Sequence, residues 1–337
     1  MSWKVEDGTL TFTRGKLELY WRMPEGFTIP SSPLLSLAEY ILFTPFGEKV
    51  NVVSSCEVPG NKVAIAFSGG VDSAAAMRLL PDPIAVYTQV AKPSGLHKIE
   101  NALLSVEEVS GLAVVSNYDQ LPTVFGKRRG FFGAAGFTVT AVLLAEHLGL
   151  DTIGDGNILE FAYLRTRHGH GTAYFERNYR SMQEAFRAVG LNYCMPCSGL
   201  TEVSTTKIAR GYKYAMGCMR GVNGSPCLQC LKCYRKMAIS GAPISSNPET
   251  ERALNKEWIP VLGSLLWARD HCGLVHPRLE CVDKNYSWVD KWYSKSLELM
   301  PEQLRGYLAE RISSFGIEEL SDMGALTEWS AYVPVKG

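Results

Sequence analysis

Between residues 60 and 238 short apolar runs alternate with helix-forming segments, and this alternation restricts the fold more than any other feature of the chain. KVAIAF reads as a buried strand and DSAAAMRLL as a helix. PIAVYTQV is a strand, followed by the helical GLHKIENALLSVEEVS. LAVVSNY is a strand, AGFTVTAVLLAEHLGL a helix, and DTIGDGN a strand that leaves into a loop. Strands separated by helices join through right-handed crossovers into a parallel sheet. Such a sheet is covered on both faces, so its strands read as continuous apolar runs. The expected fold is α/β, built on a parallel doubly wound sheet.

The flanks read differently. WKVEDGTLTFTRGKLELYWRM alternates polar and apolar residues around DG and RGK turns, the pattern of two or three strands of a meander. SPLLSLAEYILF follows as a short helix with a serine before it. From residue 239 onward the pattern is mainly helical, as in PEQLRGYLAERISSFGIEEL. The division expected is therefore a β-rich extension at 1–58, an α/β domain at 59–238 and a helical extension at 239–337.

Composition narrows the class. The chain has 337 residues, 46% of them hydrophobic and 20% charged, which suits a globular protein. Its formal net charge of +0 argues against broad electrostatic binding of nucleic acid. No apolar run reaches the length of a membrane span, and MSWKVEDGTLTF lacks a secretory apolar core, so a cytoplasmic protein is expected.

The run VAIAFSGGVDS at 63–73 carries the first chemistry. A strand that ends in this way delivers its loop to the carboxyl edge of the sheet, where open α/β sheets bind ligands. Gly69 and Gly70 permit tight backbone geometry and close approach of a ligand. The following helix offers unpaired N–H groups and a positive dipole end, and Val71, just before it, is counted among the expected ligand-binding residues. Ser68 and Ser73 add hydroxyl donors. Asp72 is the odd member beside phosphate, and reads as a helix cap or as a magnesium contact.

The second motif is CMRGVNGSPCLQCLKC. Cys218, Cys227, Cys230 and Cys233 stand as C-x8-C-x2-C-x2-C, within a chain of nine cysteines. In a reducing compartment such clustering points to metal rather than disulfides. Four thiolates make a closed tetrahedral zinc site, structural rather than catalytic, with an iron–sulfur cluster as the chemical rival.

SGGVDS resembles the PP-loop signature of the N-type ATP pyrophosphatases, adenine nucleotide alpha-hydrolase-like proteins that cleave ATP between its α and β phosphates. The four-cysteine spacing resembles one of these families, 7-cyano-7-deazaguanine synthase. HKIENA at 97–102, RRGFFGAAGFTVTAVLLAEHLGLDTIGDGN and FERNYRSMQEAFRAV are similar to further segments of that family. The resemblance covers roughly residues 60–240. The family's Tyr-Pro-Asp-Cys-Arg segment is replaced here by LRTRHGHGTAYFERNYR.

The resemblance implies ATP, magnesium and structural zinc as cofactors. It also implies a small carboxylate substrate of the deazaguanine type. The acid would attack the α-phosphorus, and the acyl adenylate would pass to a nitrogen nucleophile, giving an amide or nitrile. Readings kept beside it are a ligase joining a deazaguanine to a protein, peptide or other amine, as in antiphage systems, a tRNA-thiolating enzyme, and a degenerate ATP-binding module. The extensions suit a protein partner, and the family suggests a homodimer.

Other residues take roles from their positions. Arg129, in the Lys127–Arg129 run, and Lys207 are expected to neutralise the leaving pyrophosphate. Asp155 and Asn157 in GDGN, at a strand end, are expected to hold adenine, ribose or substrate. Arg165, Arg167, His168 and His170 read as a lid. Cys194 and Cys197 read as core thiols, with a redox or sulfur-transfer pair as the alternative. Cys56, Cys272 and Cys281 read as small apolar core residues.

Overall fold

A computed structural model of the chain describes residues 2–55, 57, 59–92, 98–127, 136–164, 172–215, 218, 220–259, 261–321 and 324–334, with the backbone alone at 172–178. The calls on Arg129, His97, Cys56 and the 165–170 segment fall outside these residues. Among the described residues the architecture is mixed α/β, with a mostly parallel sheet.

The strands are β1 (Ser2–Glu6), β2 (Thr9–Arg14), β3 (Leu17–Arg22), β4 (Lys62–Ala66), β5 (Ile84–Val90), β6 (Leu112–Ser116), β7 (Leu150–Asp155) and β8 (Asn192–Cys194). They form one sheet in the order β1-β2-β3-β6-β5-β4-β7-β8. Strands β6, β5, β4, β7 and β8 run parallel. The chain builds outward from β4 through β5 to β6, then returns to the other side of β4 for β7 and β8. That return makes β4 and β7 the switch point of the sheet, where a crevice opens beyond the strand ends.

The N-terminal meander extends this sheet. β3 pairs antiparallel with β6 through Trp21↔Ser116 and Arg22↔Val115. Asn117 reinforces the junction: its Oδ1 accepts the Tyr20 N–H at 2.7 Å, and its Nδ2 donates to the Glu18 carbonyl at 3.1 Å.

Alternation along β4 sorts side chains to two faces. Ala64 joins a core with Leu10, Phe12, Trp21, helix Ser32–Phe43 and Phe186. Val63, Ile65 and Phe67 join the opposite core, with helix Val71–Leu79 and with Leu304, Leu308 and Ile312 of helix Glu302–Ser314. A third core gathers helices Leu231–Ile239 and Leu262–Cys272 around Trp288.

The segment expected as one long helix at 135–150 is broken. It runs as a 3-10 turn at Gly136–Thr138 and then as short helices Val139–Leu143 and Ala145–Leu148. The run Thr138, Val139, Thr140, Val142 is rich in β-branched side chains, which lose rotamer freedom in a helix. Thr140 Oγ1 instead accepts a 2.6 Å bond from Thr88 Oγ1 of β5.

Candidate active site and metal centre

Loop 68–70 leaves β4 at the switch point. Its geometry is fixed by short-range bonds. Ser73 Oγ accepts the Ser68 N–H at 3.2 Å and donates to the Gly70 carbonyl at 3.0 Å. Gly69 has φ +71, and a Cβ there would lie 2.7 Å from Ala102 Cα, so both backbone angle and space demand glycine. Gly156, beyond β7, is equally confined: a Cβ would come within 2.7 Å of the Ser73 nitrogen.

Asp72 is not the helix cap. Gly70 occupies the N-cap of helix Val71–Leu79 and makes no side-chain cap bond. Asp72 stands in the first turn, where a carboxylate complements the helix dipole. Its Oδ1 accepts from Thr205 Oγ1 at 2.6 Å and from Lys236 Nζ at 3.2 Å. Its Oδ2 has no partner among the described residues.

A cavity of about 500 Å3 opens over this loop. Its lining brings together Ser68, Gly69, Gly70, Val71, Asp72 and Ser73 with Asp155 and Asn157. Cys218 of the second motif reaches the same cavity. Its size is that of a small-molecule site.

Lys207 lies elsewhere. Its Nζ sits 5.3 Å from the ring centre of Trp267, and it does not line the cavity. Thr205 and Lys207 share helix Glu202–Ala209. Two residues along a helix turn by about 200°, so a helix that aims Thr205 at Asp72 aims Lys207 away.

Three of the four cations that line the cavity come from helix Leu231–Ile239, the fourth being Lys98. Lys232, Arg235 and Lys236 all line it. Their spacing of three and four places them on one helix face. Beneath them lies Glu202, whose side chain is 2% exposed, paired with Arg235 at 3.0 Å and with Lys236 at 3.1 Å. Burial alone would raise this carboxyl, but Lys236 and Arg235 outweigh it and hold it at about 2. Burial alone would lower the Lys236 ammonium, but Asp72 and Glu202 hold it above the ordinary lysine value.

Asp155 has the opposite balance. Burial pushes it up to about 6, although Tyr193 donates to its Oδ2 at 2.6 Å and the Asn157 N–H to its Oδ1 at 2.9 Å. Glu160, nearby in sequence, is pushed up to about 7 by burial and by the charge of Glu202. Its Oε1 accepts the Glu202 N–H at 3.2 Å.

The four cysteines converge. Their sulfurs all lie within 4.8 Å of one another. Cys218–Cys230, Cys227–Cys233 and Cys230–Cys233 are separated by 4.0, 3.7 and 3.5 Å. Four sulfurs about 2.3 Å from a single zinc would lie about 3.8 Å apart, so the group fits one tetrahedral ion. A four-iron cluster spreads its thiolates over separate irons and needs a wider frame. Cys230 is also the N-cap of helix Leu231–Ile239, with Sγ accepting the Cys233 N–H at 3.4 Å. The four-cysteine segment therefore starts the helix that carries Lys232, Arg235 and Lys236.

Asn101 fastens this segment to helix Glu100–Glu108: its Oδ1 accepts the Gly224 N–H and its Nδ2 donates to the Ser225 carbonyl, both at 2.9 Å. Neither Asn101 nor the basic helix face stood out in the sequence. The available signal was CLKCYRK, a cation at each of two helical spacings directly behind a metal-type knuckle.

Cys194 and Cys197 are buried, and burial drives both thiols well above their ordinary value. Cys272 is half-buried, its Sγ 3.5 Å from the Ile239 carbonyl. Cys281 is exposed, not a core residue as expected.

A family model described as a family of unknown function, DUF6395, matches residues 181–261. The matched stretch holds Glu202, Thr205, all four metal-type cysteines, Arg235 and Lys236. None of the curated proteins matches the chain. No helix among the described residues is long and apolar enough to cross a membrane.

Proposed function

We propose that this chain is an ATP-dependent adenylating enzyme that activates a small carboxylate and passes it to a nitrogen nucleophile. The observation that carries the reading is the placement of loop 68–73. It sits at the sheet's switch point, on a helix N-terminus, in a cavity whose wall includes Lys232, Arg235 and Lys236.

In this reading the backbone N–H groups of Gly69 and Val71 receive the ATP phosphates, and the Ser68 N–H, the Gly70 N–H and the Ser73 hydroxyl, which bond within the loop, turn to phosphate only by exchanging those partners. A carboxylate oxygen of the substrate attacks the α-phosphorus, and the bond to the β-phosphate bridging oxygen breaks. Pyrophosphate leaves with that electron pair. A nitrogen nucleophile then adds to the acyl carbon, loses a proton, and expels AMP. Asp72 is the carboxylate that would hold magnesium, which supplies charge neutralisation at the phosphates. No side chain becomes covalent, so catalysis is positioning and charge neutralisation. Zinc at Cys218, Cys227, Cys230 and Cys233 would be structural. The resemblance to 7-cyano-7-deazaguanine synthase suggests a deazaguanine acid as substrate.

Sulfur transfer by Cys194 or Cys197 is disfavoured by their burial, because an attacking sulfur must be a thiolate and must be reached. The test is to incubate zinc-replete protein with ATP, magnesium and 7-carboxy-7-deazaguanine, with and without ammonium. AMP, pyrophosphate and an amide or nitrile are expected. AMP with a mass increment on a peptide or amine would move the reading to a conjugating ligase. Absence of AMP with this and other carboxylates would overturn adenylation.

A further inference from the structure

The cavity holds two kinds of cation. Arg235 and Lys236 are compensated within the protein, by Glu202 and by Asp72. Lys98 and Lys232 are not. Both line the cavity, both are exposed, and neither forms an ion pair among the described residues. Asp119 and Asp155, the other acidic residues of the lining, follow or end strands β6 and β7 and lie on neither lysine-bearing element.

These two lysines flank the glycine loop. Lys98 lies just before helix Glu100–Glu108, whose Ala102 backs directly onto Gly69. Lys232 opens helix Leu231–Ile239, whose Lys236 reaches Asp72 at the other end of the loop. The two elements are tied together by Asn101 through Gly224 and Ser225. Lys232 lies between two metal-type cysteines, Cys230 and Cys233, so its backbone position is set by the four-sulfur centre.

We infer that Lys98 and Lys232 form the cationic clamp for a polyphosphate anion over loop 68–70, and that the four-cysteine centre holds Lys232 in that clamp. The inference rests on the adenylation reading for its choice of anion, the pyrophosphate that leaves. An anion there meets unpaired backbone N–H groups at the helix start and two ammonium groups with no carboxylate to release first. This also gives the metal centre a second consequence. By linkage, an anion that needs the metal-set position of Lys232 must in turn retard loss of the metal.

The experiment uses full-length, zinc-replete protein and inorganic pyrophosphate in magnesium buffer, titrated by calorimetry. Wild type binds saturably. Lys98→Met and Lys232→Met each weaken binding about 10- to 100-fold, the loss of one charge-assisted contact. Lys256→Met, an exposed lysine outside the cavity, leaves binding unchanged. Release of zinc by a thiol reagent is then followed with a metal dye. Pyrophosphate slows release several-fold in wild type and not in Lys232→Met.

Wild-type affinity in both cavity variants overturns the clamp, as does failure of wild type to bind pyrophosphate or equal weakening by Lys256→Met. Zinc release that pyrophosphate does not slow overturns the coupling to the metal centre. Charge-dependent pyrophosphate binding without AMP formation from any carboxylate keeps the clamp and sinks adenylation. AMP formation with normal pyrophosphate binding in the lysine variants does the reverse.

Discussion

The ammonium of Lys236 lies 3.2 Å from Oδ1 of Asp72, joining two residues 164 positions apart. Lys236 stands one turn beyond the last metal-type cysteine, and Asp72 stands in the first turn after the glycine loop. This contact places the two sequence motifs in one site. Lys236 also pairs with Glu202, so removing it takes a cation from two carboxylates, one of them buried, leaving Glu202 with Arg235 and Asp72 with the Thr205 hydroxyl. Lys236→Met should destabilise the fold by about 2–4 kcal/mol, measured by denaturant unfolding. Lys236→Arg should recover most of that loss, and Lys207→Met, on its tryptophan, should leave Asp72 undisturbed. Equal stability of Lys236→Met and wild type would show that the pair adds nothing.

Metal removal should act on the helix that the cysteines start. Cys230 both caps helix Leu231–Ile239 and belongs to the four-sulfur group. Thiolates brought together without an ion repel one another, so stripping the metal should loosen residues 218–236 first. Elemental analysis should find one metal per chain in wild type and none in Cys230→Ser. Hydrogen exchange should then accelerate in helix Leu231–Ile239 while β4 and β5 stay protected. Unchanged exchange in that helix would separate the cysteines from the basic face.

Two glycines with similar backbone angles should respond differently to alanine. Gly69 and Gly15 have φ +71 and +59. At Gly15 nothing lies within 4 Å of a new Cβ, so only backbone strain of about 1 kcal/mol is expected. At Gly69 the Cβ meets the Ala102 backbone, so either the loop or helix Glu100–Glu108 must shift. Gly69→Ala should lose at least about 2 kcal/mol, and with it the phosphate binding proposed for the loop. Thermal melts of the two variants decide this, and equal shifts would refute the packing argument.

Much of this arrangement was legible in the sequence, and the misses have physical causes. Buried parallel strands declare themselves as apolar runs, so β4, β5, β6 and β7 could be read from composition. The cysteine group could be read because ligands close in sequence converge locally. The attachment of β3 to β6 could not, since it rests on two paired residues and the Asn117 side chain, about a hundred positions away. Lys207 looked suitable because it is a cation in the segment just before the four cysteines. Helix phase, which a one-dimensional match ignores, turned it onto Trp267. Lys236 was overlooked because its role depends on a long-range carboxylate, not on a local pattern.

Stability near neutral pH should depend on Glu160. Its carboxyl titrates at about 7 in the fold, raised first by burial and then by the charge of Glu202. The ordinary value is 4.5, so the folded state binds the proton more tightly than the unfolded state. The stability this proton supplies is fully present below about pH 4.5 and is lost as pH rises through about 7. Glu202 works in the opposite sense, but its window, between 4.5 and about 2, lies below this range. Glu160→Gln keeps an amide oxygen for the Glu202 N–H and never ionises. The variant should therefore lie within about 1 kcal/mol of wild type near pH 5 and exceed it by about 3 kcal/mol at pH 8. Denaturant unfolding across pH 5–8 measures the difference. A gap that is constant with pH would mean that Glu160 does not titrate in this range, and a gap that narrows toward pH 8 would reverse the sign of the argument.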